Sequence, residues 1–548
     1  ESQSLIYSDE NSFSRCTLRE KLALLFCAIL TIIIIVIVPV LVVTQDNDCH
    51  CHEESSSSSS ESESSEFSLA DQISLKRDLL PTLHALQNIA DTNGGNRAVG
   101  TSGYQASVDY IKGELRKWTN FKVNEQFFTV EDPIVLSDPQ LYQVSPEYVT
   151  FTSDQFNALT YSGSGNVTGT LIASSGYGCV KDNFNATLTN NQIALIRRGT
   201  CPFYEKVSNA QDAGAIGVII YNQGNGDDRK GLFSGTIGQE VSLPVIGISY
   251  DLGRELATAK PNPVFNIFTD TTVERIQTQN VIAQSPLGKS DRRIIVGSHL
   301  DSVPAGPGIN DNGSGSALNL AIAIAFANAA NQPDIKWENQ VSFCWWAAEE
   351  IGLKGSAHFV SNLTASNQVD DVALNLNFDM AASPNFYYGI LDGRNAEDPT
   401  IRKASGTIQE VFESYFDSID QPYLPKTFNG RSDYNAFITN NIPAGGLGTG
   451  AEVVKTQQVR AIMGGIANAA YDTCYHQNCD SFDNVAQDAL LTNTKAAANA
   501  IQVLASRADL NRFLGSDVTQ QQRSQKVKAF MENPHTQYVP GPTQQPIQ

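Results

Sequence analysis

The segment Ser298–Ser302 (SHLDS), followed closely by Asn310–Gly315 (NDNGSG), decides how this chain folds. The apolar run Ile294–Gly297 (IIVG) precedes it and predicts a strand, and the small and apolar residues from Ala317 onward predict a long helix. A histidine and two aspartates are therefore expected where a buried strand ends and a helix begins, which is the edge at which open α/β sheets bind ligands. A histidine and a carboxylate in such a loop are also compatible with an ordinary capped turn, so the interpretation depends on the rest of the chain.

Length and composition indicate a mostly globular protein of more than one domain. The chain has 548 residues, too many for a single small core, with 41% hydrophobic and 17% charged residues. Its formal net charge is -21 and no basic patch stands out, so nucleic acid is not expected as a partner.

The N-terminal region carries an uncharged apolar run from Leu22 to Val43 that is long enough to span a bilayer. Three basic residues precede the run and none follows until Lys76, which predicts a cytosolic N-terminus. We therefore predict a cytosolic tail over residues 1–21, a transmembrane signal anchor over 22–43 and a single-pass type II membrane protein. The alternative is a long signal peptide that is removed, although such peptides have a shorter apolar region and a small-residue cleavage site.

Two further segments are too polar to form a core. Residues 44–67 are rich in Ser and Glu, with six consecutive serines from Ser55 to Ser60, and are predicted to be a stalk. Residues 508–548 turn polar and end in a Gln/Pro-rich stretch, so we predict a disordered tail there.

Between these ends, apolar periodicity predicts an α/β domain over residues 68–132 and 271–507, with strands at 293–298, 340–347, 372–378 and 444–446. Residues 133–270 form an inserted block in which short β-rich runs alternate with Gly, Ser and Asn turns. Its segment 197–222 (RRGTCPFYEKVSNAQDAGAIGVIIYN) resembles a protease-associated (PA) domain. The resemblance implies an access or interaction domain without chemistry of its own. Cys179 and Cys201 are a plausible disulfide within this block, in keeping with an oxidising compartment.

Acidic residues follow two other buried strand patterns. The run ending at Ala348 is followed by Glu349 and Glu350, and the run 372–378 is followed by Asp379. Two adjacent carboxylates at a buried strand end repel one another unless a cation or a shared proton offsets them. Several such strand ends, together with histidines, predict a metal cluster.

Nitrogen and oxygen ligands without a cysteine cluster suit catalytic zinc, which keeps a position open for water. The candidate ligands are His299, Asp311, Glu350, Asp379 and His476. Five ligands are too many for one catalytic zinc but suit two zinc ions that share one bridging carboxylate. Glu349 is then left as general base, because neighbouring side chains diverge. Asp301 is predicted to accept a hydrogen bond from the imidazole of His299 and to fix its tautomer.

Seven segments carry a specific resemblance to the dizinc aminopeptidases related to vacuolar aminopeptidase Y and to the secreted bacterial leucine-type enzymes. They are GSHLDSV (297–303), GINDNGSGSA (308–317), WWAAEEIGLKGS (345–356), NFDM (377–380), NGRSDYNAF (429–437), IPAGGLGTGAE (442–452) and YDTCYHQNCD (471–480). The resemblance covers about residues 68–507. It implies a three-layer α/β zinc-peptidase domain with a mixed, mostly parallel sheet and an inserted β-rich PA domain, to which the N-terminal transmembrane helix is added.

The same resemblance assigns individual roles. It implies that His299, Asp311 and Asp379 bind one Zn²⁺, that Asp311, Glu350 and His476 bind the other, and that Asp311 bridges the two. Glu349 matches the family's general base, Tyr475 a tyrosine that hydrogen-bonds the oxyanion, and Arg431 a position whose backbone helps to hold the substrate's α-amine. The resemblance also implies a cis peptide between Asp311 and Asn312 and a disulfide between Cys474 and Cys479. Cys344 is expected to be a buried free thiol.

These expectations describe an enzyme that hydrolyses the N-terminal peptide bond of peptides with a free N-terminus, using water activated by two zinc ions and Glu349 as general base. The alternatives are a carboxypeptidase or glutaminyl cyclase on the same fold, and a catalytically inactive receptor-like ectodomain. The catalytic domain is expected outside the cell or in the vacuolar or lysosomal lumen, and the sequence fixes neither the oligomeric state nor the preferred N-terminal residue.

Asn166, Asn185 and Asn362 fit the glycosylation sequon; Asn312 also fits, but its place in the metal loop predicts that it is unmodified.

Overall fold

The computed structural model describes residues 67–515 except 185–187, 189–190, 227–228 and 333–334. The predicted cytosolic tail and transmembrane anchor lie outside the described residues, as do the stalk up to residue 66 and the C-terminal segment from residue 516. Among the helices that are described, none is long and apolar enough to cross a bilayer.

The described residues form fourteen strands and eleven α-helices. The strands are β1 (Lys122–Ser145), β2 (Val149–Thr150), β3 (Phe156–Ala158), β4 (Gly165–Ala173), β5 (Gln192–Arg197), β6 (Gly217–Tyr221), β7 (Val245–Ile248), β8 (Val264–Gln284), β9 (Lys289–His299), β10 (Asn339–Trp346), β11 (Val372–Phe378), β12 (Gly389–Leu391), β13 (Leu424–Lys426) and β14 (Ala444–Gly448). The helices are α1 (Leu80–Thr92), α2 (Ser102–Trp118), α3 (Phe203–Asp212), α4 (Tyr250–Thr258), α5 (Gly315–Ala329), α6 (Lys354–Ala365), α7 (Pro399–Ser418), α8 (Tyr434–Ile438), α9 (Gln457–Met463), α10 (Gln487–Ala505) and α11 (Leu510–Phe513).

All fourteen strands belong to one sheet, in the order β13-β12-β14-β11-β9-β10-β8-β4-β5-β6-β7-β3. In addition, β1 pairs with β8, and β2 pairs with β1. The central neighbours β14, β11, β9 and β10 are parallel to one another. Strand β8 runs antiparallel to its neighbour β10, and β1 runs antiparallel to β8. The prediction of a mixed, mostly parallel sheet is therefore confirmed. The four strands predicted for the peptidase domain are β9, β10, β11 and β14, within a few residues at each end.

Helices cover both faces of this central sheet because its strands are apolar on both sides. Ile294 and Val296 of β9 pack into a core with Leu318 of α5 and Ile501 of α10. The residue between them, Ile295, faces the opposite core, which includes residues of α6 and α8. The side-chain alternation of a strand thus produces two cores from one run of residues. Cys344 of β10 lies in the second core and is buried and unpaired, as expected.

The inserted block repeats this arrangement at the other end of the sheet. Strands β4 to β7 are parallel, and their residues alternate between a core that contains Val207 of α3 and one that contains Leu256 of α4. The long strands β1 and β8 pair from Lys122 with Gln284 to Ser145 with Val264, and so run from the peptidase part into the block. The predicted boundaries at residues 133 and 270 fall within these two strands. The disulfide between Cys179 and Cys201 is present.

Parallel strands place their carboxyl ends at the same edge of a sheet. The ends of β9, β10, β11 and β14 therefore bring the segments after His299, Trp346, Phe378 and Gly448 to one edge. This edge carries the predicted metal cluster.

Candidate metal centre

The five predicted ligands come together at this edge from five different places in the chain. His299 ends β9, Glu350 lies in the turn after β10, and Asp379 directly follows β11. Asp311 lies in the turn before α5, and His476 in the loop between α9 and α10. All but His476 come from segments that adjoin a strand end or the helix that follows it, as the sequence predicts.

The two carboxylate oxygens of Asp311 face two different histidines. Its Oδ1 is 3.2 Å from Nε2 of His299, and its Oδ2 is 3.3 Å from Nε2 of His476. Nε2 of His299 is also 3.4 Å from Oδ1 of Asp379, and Nε2 of His476 is 3.0 Å from Oε2 of Glu350. The cluster therefore divides into two halves that share Asp311, in the same pairing that the resemblance implies.

Glu349 lies close to the His299 half. Ligand-type atoms of His299, Glu349 and Asp379 all lie within 4.8 Å of one another, and the same holds for His299, Asp311 and Glu350. These distances are compatible with Glu349 as a ligand and with Glu349 as a group beside the ligands. A functional test distinguishes the two roles.

Four carboxyl groups and only two histidines meet in this cluster. Burial raises the pKa of Glu349 well above its ordinary value and that of Glu350 to about 7. Burial also disfavours the charged form of Asp311, but hydrogen bonds to His299 and His476 outweigh it and lower the pKa of this carboxyl. For His476, burial opposes protonation, yet hydrogen bonds to Asp311 and Glu350 raise its pKa to about 10.

The donor set fits zinc. It combines two imidazoles with buried carboxylates and contains no cysteine, which is the ligand chemistry of catalytic zinc sites. Oε1 of Glu350 is buried and has no hydrogen-bond partner within the described part of the chain. An unpartnered buried carboxylate oxygen is costly unless a cation takes it up, so the arrangement calls for a cation beside Glu350.

Asp301 supports the centre differently from the prediction. Nδ1 of His299 is 3.1 Å from the backbone carbonyl oxygen of Asp301 and 3.8 Å from its nearer carboxylate oxygen. The two carboxylate oxygens instead accept the backbone N–H groups of Glu349 and Glu350, each at 3.2 Å. Asp301 therefore contacts His299 mainly through its backbone, while its side chain holds the turn that presents the two glutamates.

The turn that carries Asp311 requires unusual backbone geometry. The peptide between Asp311 and Asn312 is cis, as the resemblance implies. Gly308 has φ +61°, and a Cβ at this position would collide with the backbone oxygen of Asp311 and with the Cβ of Ser302. The glycine is needed because the chain folds back on itself immediately before the proposed bridge.

Tyr475 and Arg431 lie next to each other beside the cluster. The ring of Tyr475 stacks on that of His476 with centroids 3.8 Å apart, and its hydroxyl accepts a hydrogen bond of 3.3 Å from Nη2 of Arg431. Nη1 of Arg431 pairs with Oε1 of Glu452 at 2.6 Å. The disulfide between Cys474 and Cys479 closes the loop that carries Tyr475 and His476. The resemblance concerns only the backbone at Arg431, whereas in the structure its side chain also contacts Tyr475.

Several supporting residues were missed by the sequence analysis. Ser432, within the NGRSDYNAF segment, donates a hydrogen bond of 2.6 Å to Oδ2 of Asp379. Its position directly after Arg431 in the NGRSDYNAF segment is the sequence feature that could have indicated this role. Arg97 has no such signal, because it lies in the turn between α1 and α2, about 200 residues before the residues it contacts.

Arg97 is a fully buried cation that bonds to backbone carbonyls of the metal-site loops. Its guanidinium donates to the carbonyl oxygens of Leu300, Pro307 and Gly308, the last two at 2.9 and 2.6 Å. Burial lowers the pKa of Arg97 to about 10, although the carboxylates of Asp301 and its neighbours favour the charged form. The side chain thus fixes the loop between β9 and Asp311.

We expect Arg97→Met to lower the free energy of unfolding by about 3–5 kcal/mol, because three backbone carbonyl oxygens lose their donor and each buried unsatisfied group costs about 1–3 kcal/mol. Urea unfolding at fixed pH measures it. Arg275→Met is the matched control, because Arg275 pairs with Glu131 while its side chain is 72% exposed, and it should cost no more than about 1 kcal/mol. Equal losses in both variants would contradict the supporting role of Arg97.

The asparagines that fit the glycosylation sequon differ in their exposure to solvent. Asn166 and Asn362 are exposed, and Asn185 lies outside the described residues. Asn312 is fully buried, and its amide donates to the carbonyl oxygen of Phe378 at 2.9 Å, which agrees with the expectation that it is unmodified.

Comparison with known proteins gives consistent results. The model of Peptidase family M28 matches residues 280–501 and that of the PA domain matches residues 167–256. An aminopeptidase of Pseudomonas aeruginosa is 41% identical, with 77% of this chain and 79% of that protein covered. A probable leucine aminopeptidase 2 of Aspergillus fumigatus is 38% identical, with 80% and 85% covered.

Solved structures of low identity share the fold. An aminopeptidase from Aneurinibacillus sp. strain AM-1 aligns with a TM-score of 0.61 at 24% identity, covering 80% of this chain and 96% of its own. BSAP, a zinc aminopeptidase from Bacillus subtilis, aligns with a TM-score of 0.50 at 22% identity, covering 78% and 95%.

Proposed function

This chain belongs to peptidase family M28, and we propose on that basis that it is a zinc aminopeptidase acting on peptides with a free N-terminus. The observation that carries the proposal is the position of Asp311, whose two oxygens face His299 and His476 separately. A carboxylate shared between two histidine-containing halves suits a pair of metal ions better than one. The relatives named aminopeptidase and the neighbour named zinc aminopeptidase support the same activity.

We assign two Zn²⁺ ions to the centre. His299, Asp311 and Asp379 would hold one ion, and Asp311, Glu350 and His476 the other. When bound, the ions supply Lewis-acid activation of water and of the scissile carbonyl group.

Glu349 is the proposed general base and acid. It lies within 4.8 Å of His299 and Asp379, and burial together with the negative charge of Asp379 raises its pKa well above the ordinary value. A carboxylate with a raised pKa accepts a proton more readily, so Glu349 can take one from the attacking water. It then returns that proton to the leaving amine. Glu349 and Asp379 also form a negative surface for the substrate's α-ammonium group, which favours cleavage of the first peptide bond.

Tyr475 is the proposed donor to the oxyanion. Its hydroxyl oxygen accepts a hydrogen bond from Arg431, so its own proton remains available for the substrate. Burial and the nearby carboxylates, Asp311 first among them, raise the pKa of Tyr475. The phenol therefore stays protonated and can donate a hydrogen bond to charge that develops on the carbonyl oxygen.

The N-terminal sequence supports a proposal for the location of the enzyme. The apolar run over residues 22–43 and the basic residues before it support a single-pass type II membrane protein with its catalytic domain outside the cell or in the vacuolar or lysosomal lumen. The two disulfides support an oxidising compartment. The exposed Asn166 and Asn362 are the sites at which glycosylation is proposed.

A peptide panel tests the proposed function. We expect the full chain to release the N-terminal residue from unblocked peptides and to leave N-acetylated peptides intact, because the α-ammonium group is lost on acetylation. A chelator should abolish release and added Zn²⁺ should restore it. Analysis of the released amino acids checks the requirement for a free N-terminus. Metal content measured in parallel checks the dependence on Zn²⁺. A chain that binds no metal and cleaves no peptide would instead support the receptor-like ectodomain.

A further inference from the structure

Asp480 is a buried carboxylate beside the metal centre with no part in the mechanism above. It is 2% exposed and follows the loop closed by the Cys474–Cys479 disulfide. It is not a member of the groups of ligand-type atoms that make up the cluster.

Three successive backbone N–H groups, the last of them that of the proposed bridge Asp311, donate to Asp480. The N–H of Ile309 bonds to its backbone carbonyl oxygen at 3.0 Å. The N–H of Asn310 bonds to its Oδ1 at 2.8 Å, and the N–H of Asp311 bonds to its Oδ2 at 2.9 Å. Both carboxylate oxygens are therefore used on the turn that presents Asp311, and these contacts join residues 169 and 170 positions apart.

Asp480 is itself held in place by neighbouring side chains. Nδ2 of Asn484 lies 3.3 Å from its Oδ1 and 3.0 Å from each carboxylate oxygen of Asp472. Asp472 in turn accepts a hydrogen bond of 2.6 Å from the side chain of Asn310. The turn before the bridge thus meets a fixed set of acceptors rather than solvent.

The same segment carries one ligand and the proposed oxyanion donor. Asp480 is four residues after His476 and five after Tyr475. The Cys474–Cys479 disulfide closes the loop that carries Tyr475 and His476 and so limits how this loop can move. One residue therefore connects the two loops whose relative position sets the distance between Asp311 and His476, which is 3.3 Å at its shortest.

We propose that Asp480 is a positioning residue that directs the two oxygens of Asp311 toward the two halves of the metal centre. The inference rests on the proposed function. It differs from a general structural role in one respect: loss of Asp480 should weaken zinc binding by more than any loss of stability explains. A carboxylate suits this role because both its oxygens accept, whereas an amide offers one acceptor and one donor group.

Asp480→Asn tests the inference. The substitution keeps the shape of the side chain but places an amide N–H₂ group, which cannot accept, opposite one of the two backbone N–H groups that now donate to the carboxylate. Zinc affinity is measured by competition with a chromophoric chelator, and exchange of the amides of residues 309–311 is measured on metal-free protein. We expect zinc affinity to fall about 10- to 100-fold, as for other residues that orient ligands, and the three amides to exchange faster. Asn484→Ser removes the amide that bonds both Asp480 and Asp472 but leaves the Asp480 carboxylate in place. It should cause a smaller loss in the same direction, and it covers the case in which Asp480→Asn does not fold.

Asn339→Ala is the matched control. Asn339 is fully buried and its amide bonds to the backbone carbonyls of Leu504 and Arg507 at 2.9 and 2.7 Å. It begins β10, at the opposite end of that strand from the metal centre. This variant should lose stability without losing zinc affinity. The inference is overturned if Asp480→Asn retains wild-type zinc affinity and amide exchange, or loses affinity only as much as Asn339→Ala does. A wild-type chain that binds no zinc overturns the proposed function itself.

Discussion

Replacing Glu349 by alanine is expected to lower kcat by about 10²- to 10⁴-fold, the contribution typical of a positioned general base, while zinc content stays at the wild-type level. The reason is the division of the site. The proposed halves take their ligands from other residues, and Glu349 lies beside the His299 half rather than between the histidines. Its removal therefore takes away a proton acceptor but leaves the ligands in place.

The neighbouring residue provides the control. Oε2 of Glu350 is 3.0 Å from Nε2 of His476, so Glu350→Ala should lose zinc as well as activity. Metal analysis after dialysis and steady-state kinetics on one unblocked peptide distinguish the two variants. If Glu349→Ala loses zinc as Glu350→Ala does, Glu349 is a ligand, and if it retains wild-type kcat, it is not the base.

Replacing Asp311 by asparagine is expected to affect both proposed ions at once. The substitution keeps the shape of the side chain but removes its charge and turns one acceptor oxygen into an amide donor. Since Oδ1 faces His299 and Oδ2 faces His476, neither half keeps an intact ligand set. We expect activity to fall by more than about 100-fold, the upper range for loss of a residue that merely orients a ligand, and bound zinc to fall below one equivalent.

The number of zinc ions bound by variants of a single half provides the comparison for Asp311→Asn. Asp379→Asn and His476→Ala each disturb one half, so each should retain about one of the two ions proposed for the wild type. Circular dichroism establishes that each variant is folded before metal analysis. A folded Asp311→Asn variant that retains two zinc ions would show that Asp311 does not bridge them.

The sequence predicted which side chains meet at the edge of the sheet where the strands determine their positions. Apolar runs before His299, Glu349 and Asp379 mark buried strands, and parallel strands bring their carboxyl ends to one edge. These side chains therefore had to meet, whatever the details of packing. The position of Asp301 was predicted for the same reason, but its contacts were not, because the orientation of a carboxylate depends on donors from another segment, here the N–H groups of Glu349 and Glu350.

Residues with distant partners escaped prediction. Arg97 contacts carbonyls 203 to 211 positions away and Asp480 contacts amides 169 and 170 positions away. Their partners are backbone groups, and a backbone N–H or C=O is the same at every residue except proline. No residue type in the sequence therefore marks the other end of such a contact.

The sequence by itself thus determined which residue types stand at the ends of the buried strands, since hydrophobic periodicity and strand ends are local properties of the chain. Only the tertiary structure decided that Asp311 faces two histidines, that Glu349 lies within reach of His299 and Asp379, and that Tyr475 adjoins Arg431. Those arrangements depend on the direction of side chains from separate loops. Loops are set by packing and by hydrogen bonds to distant backbone groups, which the order of residues alone does not specify.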